Sequence, residues 1–168
     1  SDNIAGHIIV RRAKDGEQLE LLNGKALSLS ADDLVIADEA GVVGLAGVMG
    51  GAEDSVLPST DKVILEIANF QAAGVRRTAL RYDNRTEASA RYEKAIDPER
   101  CDQALDLSME LFGDLYPEMK VTGFVDLALE RAYRYQQGKP SEVVEIPKDL
   151  AERETEARFH MLEQLADF

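Results

Sequence analysis

Cysteine is nearly absent from this sequence, which has a single residue of this type, Cys101, among 168. An internal disulfide is therefore impossible, and nothing indicates a zinc cluster. The lack of disulfides is typical of proteins of the reducing cytosol. No apolar run approaches the about 20 residues that a membrane-spanning helix needs, and no signal-peptide pattern is found. We therefore expect a soluble, cytoplasmic protein with no membrane partner.

Positive charge is also scarce, because 19 Lys and Arg residues stand against 32 Asp and Glu residues, a formal net charge of −13. Proteins that bind nucleic acid normally present a basic surface, so any RNA contact must be local. The sequence also lacks a Walker-type glycine loop and a serine-histidine-acid set in a recognisable order. At 45% hydrophobic residues, the chain is long enough for one domain with a proper core.

The first forty residues have β patterns. Residues 8–10 and 34–37 are apolar and β-branched enough to favour two strands. Between them, two short runs flank Asn23-Gly24, whose tolerance of positive φ is typical of a type I′ hairpin turn. With the helices predicted further on, these patterns indicate an α+β fold. We expect a mixed, mainly antiparallel sheet with helices packed on one side.

A glycine-dense apolar run follows at residues 44–51. Gly47, Gly50 and Gly51 interrupt a run that would otherwise make a good buried strand. Glycine weakens a strand unless another backbone or a ligand approaches closely, or the chain takes a positive φ. The run is therefore either a glycine-lined turn at a strand end or part of a binding site, and the pattern alone favours the turn.

Residues 63–67 form a β-type run with one carboxylate in its middle, Glu66. Strict alternation places Ile64 and Glu66 on one face of the predicted strand. If that face is covered, Glu66 is a buried carboxylate that must be paired, protonated or ready to accept a hydrogen bond. If it is not covered, Glu66 is an ordinary solvent-facing residue.

From Phe70 the pattern becomes helical, and Thr86 is the predicted N-cap of a second helix that follows a break at residues 83–84. A third helix begins near Pro98, and we expect its apolar stripe to pack on the sheet. Residues 121–126 are a predicted last strand. Residues 128–148 are predicted to be a linker, and residues 149–168 a terminal helix that docks on the domain or on a neighbouring subunit.

Six arginines lie between residues 76 and 100, a high density for so acidic a chain. Planar guanidinium groups suit contacts with phosphate. The alternative is a set of internal ion pairs with nearby acids, which we prefer for Arg91. Both interpretations stay open for Arg76, Arg77 and Arg85.

Several of these runs together resemble one known family. The runs are LAGVMGG at residues 45–51, ILE at 64–66, RTEAS at 85–89 and RYEKAIDP at 91–98. In motif, order and spacing they are similar to the editing domain of the bacterial phenylalanyl-tRNA synthetase β subunit. The resemblance runs from about Ile8 to about Asp126, so it implies that residues 1–127 form an editing-type domain that lacks its N-terminal part.

The resemblance implies hydrolysis of tyrosine wrongly esterified to the phenylalanine tRNA. A pocket built for a phenylalanine ring rejects an isostere with one added hydroxyl by a factor of only about 100, so a second site must correct the error. Discrimination there can be strong, because a group that bonds the tyrosine hydroxyl is left unpaired when phenylalanine enters. In the family this group is the glutamate of the Leu-Glu motif, which is Glu66 in this sequence.

The other site residues are also implied by the resemblance. Gly47, Gly50 and Ala88 match positions that line the pocket. Thr86 matches a position that is expected to hold the water or the terminal ribose, and backbone N–H groups near Gly50 are expected to stabilise the oxyanion. Thr86 and Gly50 are thus the predicted catalytic residues, and Arg76, Arg77 and Arg85 are predicted tRNA contacts.

The family also implies partners and cofactors. The intact enzyme attaches phenylalanine to its tRNA, and a heterotetramer with the α subunit is expected. ATP and magnesium belong to that ligase reaction and have no recognisable site here, so no cofactor or metal is expected in these residues.

One departure from the family concerns histidine. The family contributes a site histidine from an upstream segment that this sequence does not contain, and His7 and His160 lie in other contexts. We therefore expect the chain to be a piece of a much longer subunit. Two alternatives follow, a binding module for tyrosine or RNA that has lost hydrolysis, and a structural part of the synthetase.

Overall fold

The computed structural model describes residues 4–5, 8–53, 55–121, 124–126, 131–134 and 142–144. It divides into two compact units, Ser1–Leu107 and Ser108–Phe168. Antiparallel sheets and three helices make up the described residues, so the predicted α+β class is confirmed. Within these residues, no helix combines the length and the apolar character needed to cross a membrane.

Six strands form two sheets in the first unit. They are β1 (Ile9–Arg12), β2 (Gln18–Glu20), β3 (Ala26–Ser28), β4 (Leu34–Ala37), β5 (Val42–Leu45) and β6 (Met49–Gly50). The main sheet has the order β1-β4-β5-β6, and β2 pairs with β3. All of these pairs are antiparallel. The strands predicted at residues 8–10 and 34–37 are therefore confirmed.

The predicted hairpin between β2 and β3 is present, but its turn is not of type I′. Only Gly24 takes a positive φ, of 79°. The Gly24 N–H donates to the Leu21 carbonyl at 2.8 Å, and the Leu21 N–H donates to the Lys25 carbonyl at 2.9 Å. This is a three-residue loop that ends in a left-handed glycine, the usual alternative to a two-residue turn. Asn23 instead accepts the Lys25 N–H on its side chain, at 3.1 Å.

The apolar core of the first unit lies between the two sheets' strands and the first helix. Its buried members come from β2 to β5, from the residues just after β2, β3 and β5, and from the first helix and the segment just before it. They include Leu21, Leu29, Val35, Leu45, Val48, Phe70, Val75 and Ala79. Along β4 the burial alternates, with Val35 and Ala37 buried. This alternation is what a half-covered strand requires.

Three helices follow the strands: α1 (Ala72–Arg81), α2 (Glu87–Tyr92) and α3 (Arg100–Leu115). The break predicted at residues 83–84 is confirmed, since Asp83 takes a positive φ of 45°. Thr86 is the N-cap of α2, as predicted. No residue of α3 is buried, so the expectation that its apolar stripe packs in a core was wrong.

A buried carboxylate joins α1 to the sheet, and the sequence patterns did not reveal it. Asp33 is fully buried before β4. It accepts hydrogen bonds from the Ser30 N–H at 2.9 Å and from the Thr78 hydroxyl at 2.8 Å. The Arg81 guanidinium and the Tyr82 hydroxyl also donate to it. A buried charge is tolerated because it has these partners.

The strand predicted at residues 63–67 does not form. These residues have no regular secondary structure, and Val63, Ile64 and Leu65 are 58%, 61% and 44% exposed. An alternating apolar pattern produces a strand only where another strand is available to bond its backbone. The described residues offer no such neighbour to this segment, so the prediction was wrong.

The second unit contains a three-stranded antiparallel sheet of β7 (Phe124–Asp126), β8 (Arg131–Arg134) and β9 (Glu142–Val144), in that order. The first of these lies within the predicted last strand, residues 121–126. The other two lie within residues 128–148, which were predicted to be a linker. The terminal helix predicted at residues 149–168 lies outside the described residues.

Candidate functional site

The glycine-dense run forms a tight turn between β5 and β6. The Val48 N–H donates to the Leu45 carbonyl at 3.0 Å, and Gly47, the third residue of the turn, has a φ of 68°. Because Ala46 has no positive φ, this is the pattern of a type II turn, which favours glycine at that position. The interpretation of the run as a glycine-lined turn is therefore confirmed.

Packing also requires a glycine at position 47. A Cβ atom there would lie 2.9 Å from Val75 Cγ2, 3.0 Å from Phe70 Cδ2 and 3.4 Å from Tyr92 Cδ2. The close approach that the glycine permits is thus made by the protein's own side chains. We call Gly47, Phe70, Val75, Tyr92 and Thr86, which bonds the same turn, the turn cluster.

Thr86 fastens the start of α2 to this turn. Its hydroxyl donates to the Val48 carbonyl at 2.8 Å and accepts the Ser89 N–H at 3.1 Å. The Ser89 hydroxyl in turn accepts the Thr86 N–H at 2.8 Å, which completes a capping box. A hydroxyl has one proton and two lone pairs, so Thr86 retains one lone pair for a water or a ribose hydroxyl.

Two of the backbone N–H groups in residues 47–51 are already bonded within the protein. The Val48 N–H bonds Leu45, as described, and the Gly51 N–H donates to the Val43 carbonyl at 2.7 Å. Hydrogen-bonded and non-bonded pairs alternate in an antiparallel ladder, so the Gly44–Gly50 pair is a non-bonded one. The Gly50 N–H is consequently directed away from β5. Gly47 and Gly50 remain the candidate oxyanion donors.

Tyr92, at the end of α2, connects the turn cluster to the segment that carries Glu66. Its hydroxyl donates to the Ala68 carbonyl at 3.1 Å. Its ring meets that of Phe70 edge to face, with the centroids 5.0 Å apart and the planes at 62°. Sequence reasoning missed this residue because an aromatic on a short helix is ordinarily a packing residue.

Glu66 has no hydrogen bond or ion pair among the residues that the structure describes. Desolvation raises the pKa of its carboxyl group. Desolvation also raises the pKa of Tyr92, and the charge of Glu66 raises it further. Glu66 as a whole residue is exposed.

The remaining predicted site residues lie nearby in sequence but are not in the turn cluster. Ala88 is exposed in the first turn of α2, and Gly50 is exposed in β6. A Cβ atom on Gly50 would meet only Leu22 Cδ1, at 3.4 Å. The structure thus brings Gly47 and Thr86 to one turn. Tyr92 connects this turn to Ala68, two residues after Glu66.

The arginines divide into paired and unpaired groups. Arg91 pairs with Glu87 at 2.8 Å, which confirms the ion pair preferred for it, although both side chains are exposed. Arg85 pairs with Glu93. Arg76 and Arg77 are exposed on α1 and have no ion pair within the described part of the chain. These same residues contain no group of three His, Cys, Asp or Glu side chains that could hold a metal ion.

The chain is similar in sequence to proteins of one known family. The B3/4 domain family matches residues 1–116. The phenylalanine–tRNA ligase beta subunit of Anaeromyxobacter dehalogenans is 38% identical over 151 residues, which are 87% of this chain and 19% of that protein. The protein of the same name from Geobacter sulfurreducens is 35% identical over 160 residues, 93% of this chain and 20% of that protein.

A third relative, the phenylalanine–tRNA ligase beta subunit of Cutibacterium acnes, is 47% identical over 98 residues, which are 58% of this chain and 12% of that protein. The chain therefore spans about a fifth or less of the length of these relatives. The family match covers more than half of the chain, including every residue of the turn cluster and Glu66. This chain belongs to the B3/4 domain family.

Proposed function

We propose that these residues form the proofreading part of a phenylalanyl-tRNA synthetase β subunit, which hydrolyses tyrosine mischarged onto the phenylalanine tRNA. The observation that carries the proposal is the position of Glu66, which has no hydrogen-bond or ion partner in the described residues and lies two residues before Ala68, whose carbonyl Tyr92 of the turn cluster bonds. Desolvation raises the pKa of the Glu66 carboxyl group, which is consistent with this position. An unpaired carboxylate of this kind is expected at a site that receives a hydrogen-bond donor from a ligand. The names of the relatives, phenylalanine–tRNA ligase beta subunit, support the part of the proposal that places these residues in such a subunit.

Glu66 supplies the selectivity in this proposal. The phenolic hydroxyl of tyrosine donates to its carboxylate, whereas phenylalanine leaves that carboxylate desolvated and unpaired. A hydrogen bond to a charged group is worth about 1.5–3 kcal/mol. This corresponds to a preference for tyrosine of about 10- to 150-fold.

Hydrolysis needs little further machinery, because an aminoacyl ester is already activated. The turn cluster holds the ester carbonyl so that the N–H groups of Gly47 and Gly50 stabilise the developing oxyanion. Through its remaining lone pair, Thr86 accepts a hydrogen bond from the attacking water or from a hydroxyl of the terminal ribose, and so orients that group. Ala88, with its short side chain, leaves room for the substrate beside the helix.

The arginines of α1 supply the tRNA contact. Arg76 and Arg77 are exposed without an ion partner in the described residues, so their guanidinium groups bond phosphate at no loss of an internal contact. Arg85 must first exchange Glu93 for the phosphate. In this proposal the α subunit is the protein partner, and ATP and magnesium serve only the ligase reaction elsewhere in the enzyme.

One observation favours the alternative of a binding module without hydrolysis. The only proton of the Thr86 hydroxyl is donated to the Val48 carbonyl, so Thr86 orients a water but cannot supply the proton that the leaving ribose oxygen must receive in hydrolysis. Such a module binds tyrosine at the same place and does not turn it over.

The test is an NMR titration of the chain with tyrosine and with phenylalanine, in the wild type and in Glu66→Ala and Glu66→Gln. We expect tighter binding of tyrosine, with the preference lost in both variants. Glu20→Gln, which changes an exposed glutamate of β2, is the matched control and should retain the preference. Equal binding of the two amino acids by the wild type would refute the role of Glu66. Release of tyrosine from mischarged tRNA then separates the hydrolase from the binding module.

A further inference from the structure

The segment that carries Glu66 is held in an unusual way. Residues 61–69 make no backbone-to-backbone hydrogen bond with any described residue. Two side-chain bonds hold the segment instead, one to the last residue of α2 and one to a residue that follows α2. The Tyr92 hydroxyl donates to the Ala68 carbonyl at 3.1 Å, and the Asn69 Nδ2 group donates to the Ile96 carbonyl at 2.6 Å.

The ring of Tyr92 is fixed independently of its hydroxyl. It lies against Phe70 with the centroids 5.0 Å apart, and Cδ2 is 3.4 Å from the place that a Cβ atom of Gly47 would occupy. Packing thus fixes the position of the ring, and the hydrogen bond from its hydroxyl holds the Ala68 carbonyl beside it. Ala68 is two residues from Glu66, a span of at most about 7 Å of extended chain.

We propose that Tyr92 is a positioning residue, whose hydroxyl holds Ala68 and thereby sets the place of the Glu66 carboxylate relative to the turn cluster. The inference rests on the proposed function, because the ligand placed by this arrangement is the tyrosine that Glu66 recognises. Tyr92 itself does not contact the reacting ester. Its hydroxyl acts through the backbone of residues 66–68.

The experiment compares the wild type with Tyr92→Phe, which retains the ring and removes only the hydroxyl. In the absence of ligand, a carbon-13 NMR titration follows the carboxyl group of Glu66. We expect its pKa in Tyr92→Phe to fall toward the ordinary glutamate value, because a released segment gives the carboxylate more water. In the second arm, the preference for tyrosine over phenylalanine should fall about 2- to 10-fold, the worth of one net hydrogen bond.

Two further variants support the interpretation. Asn69→Ala removes the other side-chain bond and should change the Glu66 titration in the same direction. If Tyr92→Phe does not fold, Asn69→Ala is the variant that tests whether the side-chain bonds of this segment set the Glu66 titration. Tyr116→Phe removes the hydroxyl of an exposed tyrosine and should change neither the titration nor the preference.

The two arms separate this inference from the proposed function. A wild type without any preference for tyrosine refutes the proposed function, and the ligand-free titration then decides the positioning role alone. If Glu66 titrates identically in the wild type, Tyr92→Phe and Asn69→Ala, the positioning role is overturned, even when tyrosine is preferred.

Discussion

Gly47→Ala should strongly destabilise the turn between β5 and β6, for two separate physical reasons. The residue has a φ of 68°, and a left-handed conformation costs a residue with a Cβ about 1–2 kcal/mol. The added atom also lies 2.9 Å from Val75 Cγ2 and 3.0 Å from Phe70 Cδ2. Overpacking of a buried cluster costs about 1–3 kcal/mol, so the free energy of unfolding should fall by about 2–5 kcal/mol in total.

Other glycines of the chain separate these two costs. Gly24 has a φ of 79°, and a Cβ atom there would meet nothing within 4 Å, so Gly24→Ala measures the backbone strain alone. A Cβ atom on Gly41 would also meet nothing, and no positive φ is found there. Gly41→Ala should therefore change the free energy of unfolding by no more than about 0.5 kcal/mol. The expected order of destabilisation is Gly47→Ala, then Gly24→Ala, then Gly41→Ala.

The assay is urea denaturation followed by far-ultraviolet circular dichroism, since the chain has no tryptophan. A variant that changes the midpoint without the slope has changed stability rather than the unfolded state. Val75→Ala removes the nearest obstructing methyl, so Gly47→Ala combined with Val75→Ala should lose less than the sum of the single changes. If Gly47→Ala is no worse than Gly24→Ala, the packing argument for Gly47 is wrong.

Two further predictions concern buried and half-buried carboxylates. Asp33→Asn should lower the free energy of unfolding by at least about 2 kcal/mol, because it removes a fully buried charge from its donors. Asp32 is an exposed neighbour that lies 3.4 Å from Arg81, so the same urea assay should find Asp32→Asn within about 0.5 kcal/mol of the wild type. Equal effects of the two changes would contradict this reasoning. The hydrogen bond from Arg11, opposed by desolvation, lowers the pKa of Glu17 below its ordinary value of 4.5. A lowered pKa stabilises the folded state above the ordinary value, and this is lost as the pH falls through the folded value. The stability difference between the wild type and Glu17→Gln should thus be largest at neutral pH and shrink below pH 4.5, and a difference independent of pH would exclude this origin.

Local chemistry determined most of the elements that were predicted correctly. Thr86 was recognised as a helix N-cap because its hydroxyl can bond the N–H three residues later, and the structure has that bond. The hairpin at Gly24 and the turn at Gly47 were recognised because glycine alone adopts a positive φ easily. Each of these features depends on residues within about five positions of one another, which a sequence displays directly.

The arrangement of the site was decided by contacts that are distant in the chain. The Tyr92 hydroxyl bonds a carbonyl 24 residues away, and the Thr86 hydroxyl bonds one 38 residues away. The partners of Asp33 on α1 lie still farther along the chain, and no periodicity predicts which buried carboxylate will meet which donor. These contacts convert a run of glycines and a helix cap into one cluster.

The sequence by itself determined the α+β class, the turns and the helix caps, because these follow from φ preferences and short-range hydrogen bonds. Only the tertiary structure decided what residues 63–67 became. Their alternating pattern predicts a strand, yet a strand exists only where a neighbour bonds its backbone, and the described residues provide none. Backbone pairing is a property of two segments, whereas a hydrophobic pattern belongs to one. The segment that carries Glu66 is held instead by the side-chain hydrogen bonds of Tyr92 and Asn69.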